Sequence, residues 1–251
     1  MRVLIISDIH ANIYAFNACR AVFPARDAVW NLGDLVGYGA NPNEVIAGSR
    51  DLGRIFVRGN HDKACSGVSD LEGFNPIAAL AAVWTQKNLT SANLEWLKAL
   101  PKGPITPVRD LNVSCVHGSP IDEDEYLINV HDASEPLAHP RAPLTFFGHT
   151  HIQGGFFARN GNMHAIRPSF GDPSKQQKIE FRLEQGTVYM INPGSIGQPR
   201  DGDPRAGFAL YDSGAAVVTF YRVPYDIAAA QKDIRDAGLP TRLADRLSEG
   251  R

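Results

Sequence analysis

A chain of 251 residues, 43 % apolar and 21 % charged, has the composition of a folded globular protein with one sizeable core, which excludes a disordered or fibrous polymer. Its formal net charge of −2 supplies no general attraction for nucleic acid or an anionic membrane, so a phosphate-bearing ligand has to be drawn by local charge. Cys19, Cys65 and Cys115 are too few and too scattered for a disulfide framework, and fit reduced thiols in a cytoplasmic protein.

The apolar run Val3–Ile6 is too short for a signal peptide or a membrane span. The stretch from Arg2 to Asp8 reads instead as a central strand covered on both faces, delivering Asp8 and His10 to its carboxyl end. If the backbone stays extended there, both side chains point into one cleft, a carboxylate and an imidazole suited to manganese, iron or zinc. Asn12 caps a helix over Ile13–Val22. Asp27–Leu32 is a second strand, followed by Gly33-Asp34, and a carboxylate with two oxygens can bridge two cations where a histidine cannot. Pro42 opens a helix to about Gly48, giving a β-α-β-α-β progression into a short strand over Arg54–Val57.

Gly59 then turns the chain sharply. Asn60 can offer a carbonyl oxygen to a hard cation, and His61 can hold a proton near neutral pH. Residues 70–104 read as helices starting at Pro76 and Ser91, with apolar stripes that pack rather than bind a cofactor. A strand over Leu111–Val116 ends in His117-Gly-Ser-Pro, and the acidic stretch Asp122–Glu125 reads as a solvated loop. His131 and His139 have no partner ligand at a useful spacing. Leu144–Phe147 is a strand leading to Gly148-His149-Thr150-His151, whose two histidines an extended backbone would point the same way.

After residue 151 strands follow strands. Gly155–Arg159 with Met163–Arg167, and Ile179–Leu183 with Thr187–Ile191, read as two hairpins; Gly207–Tyr211 and Ala216–Tyr221 flank a further turn, and a helix over Asp226–Ala237 comes near the end. No linker divides the halves, so one domain over residues 1–251, α/β in class with two sheets and outer helices, is the expectation.

The ordered set is Asp8-x-His10, Gly33-Asp34, Gly59-Asn60-His61-Asp62, His117 and His149-x-His151, each at a strand end. In this it resembles the calcineurin-like metallophosphoesterase superfamily, whose D-x-H, G-D, G-N-H-[DE], H and G-H-x-H signature it matches at every ligand position. Asn192-Pro-Gly-Ser and the stretch Gln198–Arg205 resemble a small bacterial branch of that superfamily. The resemblance implies an α/β/β/α two-sheet sandwich binding two transition-metal ions, most naturally Mn, Fe or Zn. One would be held by Asp8, His10, Asp34 and His151, the other by Asp34, Asn60, His117 and His149. A hydroxide between the metals would attack phosphorus in a small phosphodiester or phosphomonoester, His61 would act as general acid, and Asp62 would be its orienting partner. The metal-bridging motif of the related protein phosphatases continues to an Asp-Arg pair; here Gly37-Tyr38 stand in its place, which disfavours a protein phosphatase. Arg58, Arg200 and Arg205 are then the candidates for gripping substrate phosphate. Neither a basic stripe nor interleaved aromatics support a nuclease, a membrane role is not expected, and the rival reading is a noncatalytic binding scaffold on the same fold. Specificity is expected to reside in residues 63–104 and in the 154–187 hairpins.

Overall fold

The computed structural model describes all residues, Met1–Arg251. β1 (Arg2–Ile6), α1 (Ile13–Val22), β2 (Ala28–Asn31), α2 (Pro42–Leu52) and β3 (Ile55–Phe56) form the expected alternating start, with β1, β2 and β3 parallel. Asn12 caps α1 by accepting the amide of Ala15, and α2 has Pro42 in its first turn. The chain then enters α3 (Asn60–Ser66), α4 (Pro76–Asn88) and α5 (Ser91–Lys98), followed by β4 (Val113–Cys115), α6 (Ser134–Ala138) and β5 (Leu144–Phe146). The rest is β6 (Gly154–Arg159), β7 (Asn162–Ile166), β8 (Gln177–Arg182), β9 (Val188–Asn192), β10 (Ala206–Asp212), β11 (Val217–Val223), α7 (Ile227–Asp236) and α8 (Thr241–Asp245). No helix is long and apolar enough to cross a membrane.

The strands form two mixed sheets flanked by helices: a six-stranded one ordered β3-β2-β1-β10-β11-β8 and a five-stranded one ordered β4-β5-β9-β6-β7. The pleat of β1 explains its unbroken apolar run. Val3 and Ile5 face inward with Trp30, Phe146, Ile191 and Phe220, in the core between the sheets. Leu4 and Ile6 face the other way onto Phe16, Val45 and Ile46 of the helical layer.

One of the expected hairpins is absent. β8 pairs antiparallel with β11 in the first sheet, whereas β9 lies in the second between β5 and β6. Burial separates them. In Gln-Lys-Ile-Glu-Phe-Arg the apolar and charged residues alternate, which suits an edge strand, whereas Tyr189–Asn192 is buried on both faces, as a central strand parallel to β5 requires. β6 and β7 do form a hairpin, as do β10 and β11. The turn after Gly59 is also tighter than expected, because α3 begins at Asn60 itself.

Candidate metal centre

The first-half strands and β5 end at one place, and the loops leaving them are not extended. Asp8, His10, Asp34, His149 and His151 all adopt left-handed φ values, between 48° and 66°. Such a conformation is costly for residues with a Cβ and persists only where the surroundings hold it. Here the loops hold each other: the amides of Asp8 and His10 donate to the carbonyls of Gly33 and Asp34, and the amide of His149 donates to the Asp8 carboxylate. The side chains therefore converge because the backbone coils, not because it stays extended as the two-residue spacing had implied.

Two groups of ligand atoms result, Asp8 with His10, Asp34 and His151, and Asp34 with His117 and His149, within each of which all atoms lie no more than 4.8 Å apart. Asp34 belongs to both. Asn60 Oδ1 lies 3.2 Å from His117 Nε2, beside the second group.

The protonation of the rings follows from their partners. His10 Nδ1 donates to the Val36 carbonyl, His117 Nδ1 to that of Leu32 and His151 Nδ1 to that of Gln198, so in each neutral ring Nε2 carries the lone pair. His149 is reversed: its Nε2 donates to the Asp124 carbonyl, which leaves Nδ1 free to ligate. The Nε2 atoms of His10 and His151 face each other at 3.0 Å, and His151 Nε2 is 3.4 Å from Asp8 Oδ1. His10 and His117 approach Asp34 Oδ2 at 3.6 and 3.4 Å.

Lone pairs so arranged repel unless a cation lies among them. Ligand bonds of about 2.1 Å with tetrahedral to octahedral angles put neighbouring ligand atoms about 3.0–3.4 Å apart, close to these separations. The donor set, imidazoles, carboxylates and one amide oxygen without a thiolate, fits a borderline transition metal. Orienting carbonyls behind every ring are the usual second layer of such sites.

Electrostatics agree. Burial pushes the Asp8 carboxyl up to about 7, drives His10 and His151 well down, and takes His149 to about 3. Burial opposes charge on His117 as well, but the adjoining Asp34 carboxylate outweighs it and raises that ring to about 10. In cation-free protein a proton on His117 thus stands where a metal would, so metal binding releases protons.

His61 is buried, and its Nδ1 has no hydrogen-bond partner. Burial takes its pKa down to about 4. Asp62 does not orient it. The Asp62 carboxylate accepts instead from the amides of Asp34, Leu35, Val36 and Gly59, tying the Asp34 loop to the start of α3.

Two of the three arginines are spent elsewhere. Arg58 makes a two-pronged pair with Glu123, at 2.9 and 3.2 Å. Arg205 is buried against Asp203 and the carbonyls of Asp172 and Lys175. The Glu123 partner of Arg58 was not legible, 65 residues away, whereas Asp203 stands two residues before Arg205 and it is the burial of that pair that the sequence hides. Arg200 remains. Its Nη2 donates to the Tyr38 hydroxyl and Gln198 Oε1, its Nε is buried without a partner, and its charge lowers the pKa values of Asp8, His10, His61 and His151.

Residues to which the sequence assigned no role at the site also adjoin the centre. Tyr38 packs its ring 4.3 Å from that of His61, and Tyr126 lies 3.8 Å from that of His149. Asn192 anchors the His149 loop by donating to the Gly148 carbonyl and Thr150 Oγ1, and Ser195 Oγ donates to the Asp8 carbonyl. A Cβ on Gly37 would lie 2.5 Å from His61 Nδ1, so the aspartate of the phosphatase motif has no room here. The acidic stretch is no idle loop either, since it supplies the Asp124 carbonyl and the partners of Arg58 and Lys63.

Comparison with known proteins agrees with this geometry. Residues 1–215 match the model of the calcineurin-like phosphoesterase superfamily domain. The chain is 34 % identical to an uncharacterized protein of Methanocaldococcus jannaschii, over 99 % of this chain and 98 % of that one. A crystal structure of a metallophosphoesterase from Sphaerobacter thermophilus is similar over 100 % of this chain and 99 % of its own, with 40 % identity and a TM-score of 0.83. A hypothetical protein from Pyrococcus horikoshii shares the fold at 19 % identity, with a TM-score of 0.77 over 100 % of this chain and 98 % of that one. The ligand groups, the two sheets that present them and the match across most of the chain together make this protein a member of the calcineurin-like phosphoesterase superfamily.

Proposed function

We propose that the protein is a dinuclear metal-dependent phosphoesterase, hydrolysing a phosphodiester or a small phosphomonoester. The observation that carries this reading is the facing pair of ring lone pairs, His10 and His151 at 3.0 Å, beside an Asp34 carboxylate common to two ligand groups. Asp8, His10, Asp34 and His151 would hold one cation, and Asp34, Asn60, His117 and His149 the other, with Mn, Fe or Zn suited to the donors. Two such cations supply a hydroxide nucleophile at neutral pH and neutralise charge on the phosphoryl oxygens.

The chain's own residues do the rest. Arg200, with its unpartnered buried Nε, contributes positive charge where the phosphoryl oxygens sit, and Tyr38 and Gln198 hold its guanidinium in place. His61 is neutral in ligand-free protein, and in this reading it is the group that would carry a proton to the leaving oxygen. Backbone carbonyls fix the imidazole tautomers, so no ring has to reorient. The substrate is a small ester rather than a nucleic-acid strand, given the net charge of −2, and three free buried thiols suit a cytoplasmic setting.

The test is hydrolysis of bis-p-nitrophenyl phosphate and p-nitrophenyl phosphate by metal-stripped protein, with Mn²⁺, Fe²⁺ or Zn²⁺ added back. Turnover should return with metal, be lost in Asp34→Asn, and show which ester class is preferred. His61→Ala should lose roughly 10²-fold or more on phenyl esters but far less on nitrophenyl esters, whose leaving group needs no proton. Bound metal without turnover of any ester would leave only the noncatalytic scaffold.

A further inference from the structure

Beyond the ligand groups lies a cavity of about 320 Å³, small among pockets that take whole ligands, with Asn60, His61 and His149 on its inner wall. Phe74 and Tyr126 contribute aromatic surface, and the Phe74 ring stands 5.0 Å from that of His61. The group that protonates a leaving oxygen marks the side on which the leaving group departs. With His61 in its wall, this cavity is where such a group would lie if His61 is the acid.

Its charge is unusual for a protein acting on phosphates. The charged residues lining it are Lys63, Asp70, Glu72 and Asp124. Lys63 is already shared between Glu123 and Asp124. Asp70 and Glu72 are exposed and have no cationic partner; Asp70 Oδ1 accepts only the Glu72 amide. The guanidinium nearest the centre, that of Arg200, has its Nη2 held by Tyr38 and Gln198 and belongs to a residue outside the cavity's lining. A leaving group bearing further phosphates would bring negative charge against two uncompensated carboxylates. One with an aromatic or apolar face and a neutral or positive substituent would meet ring surface and favourable charge.

We propose that this cavity selects esters whose leaving alcohol is neutral or cationic, and discriminates against anionic leaving groups such as the phosphates of a phosphoanhydride, with Asp70 and Glu72 as the specificity-determining residues. The proposal rests on the phosphoesterase reading and assigns the leaving-group side of that same site.

Aryl esters of one phosphate class, mono- or methyl diester according to which is turned over, provide the test. They carry a para trimethylammonio, tert-butyl or carboxylate group, and kcat/KM is measured for each with metal-loaded protein at low and high ionic strength. The ratio of the cationic to the anionic ester is then compared between wild type and Asp70→Asn/Glu72→Gln, which cancels both intrinsic leaving ability and any general loss in the variant. The wild-type ratio should exceed the variant's by about fivefold or more at low salt, and should contract at high salt, as expected for exposed charges. Equal ratios in the two proteins would overturn the proposal, and so would a wild-type ratio indifferent to salt, which decides the matter even if the variant fails to fold. Absence of turnover with all three esters would instead remove the phosphoesterase reading, and this proposal with it.

Discussion

Asp62 lies fully buried beneath the loop that carries Asp34, and its two oxygens accept amides from that loop and from Gly59 in the β3–α3 turn. Asp62→Asn turns an amide NH₂ toward these N–H groups, so at least one buried donor loses its acceptor. A hydrogen bond to a charged group contributes about 1.5–3 kcal/mol, and an orphaned donor adds its own desolvation cost. A loss of about 3 kcal/mol in urea unfolding is expected, together with weaker Mn²⁺ binding; stability within about 0.5 kcal/mol of wild type would contradict this role. His61 gives a pH signature in metal-free protein. Burial takes its folded pKa to about 4, below the ordinary 6.5, so its stabilising contribution is complete above pH 6.5 and is lost as pH falls through 4. Unfolding free energies from urea denaturation in chelator should therefore fall further over this window in wild type than in His61→Phe, by on the order of 3 kcal/mol. At this scale the candidate ligands that the structure brings together were legible, because a strand-end carboxylate or imidazole announces itself by type and position. The left-handed φ values, the true role of Asp62 and the Glu123 partner of Arg58 were not, since each is set by residues distant in the chain; Asp203 stands only two residues from Arg205, but that spacing does not say that the pair is buried.

The short turn between β3 and α3 shows how an element can be constrained by its neighbour. A Cβ on Gly59 would stand 2.0 Å from Asp34 Oδ1, and the His61 amide donates to that same oxygen at 2.8 Å. Gly59→Ala must therefore displace the Asp34 carboxylate, and Mn²⁺ affinity measured by calorimetry should fall at least tenfold, in line with the cost of disturbing groups that orient a metal ligand. Gly214→Ala, whose Cβ would meet Asp212 at an ordinary 3.5 Å, is the control and should bind as wild type does. Unchanged affinity in Gly59→Ala would refute the close approach. The helix and strand types followed from periodicity and caps, Asn12 and Pro76 among them. The pairing of β8 and β9 did not, because two apolar stretches joined by Glu184-Gln185-Gly186 look like a hairpin whichever sheets they enter.

Across the whole molecule, the change from alternating elements to strands after residue 151 was visible, and so was the class of fold. What the linear pattern could not show is that β10 pairs antiparallel with β1, at the centre of the first sheet. That pairing brings the loop of residues 193–205 against the end of β1, where Ser195 bonds the Asp8 carbonyl and Arg200 reaches the ligand groups from the far end of the chain. The specificity expectation divides in the same way. Residues of the 63–104 segment line the cavity beside His61, whereas the 154–187 strands do not, and Asp124 and Tyr126 take their place. Asp34 is the one residue common to both ligand groups, so the proposed arrangement stands or falls on that carboxylate serving two cations. Anomalous diffraction from crystals grown with Mn²⁺ tests it most directly. Two peaks flanking the Asp34 carboxylate are predicted, one beside His10 and His151 and the other beside His117 and His149; a single peak, or metal bound away from Asp34, would contradict the account.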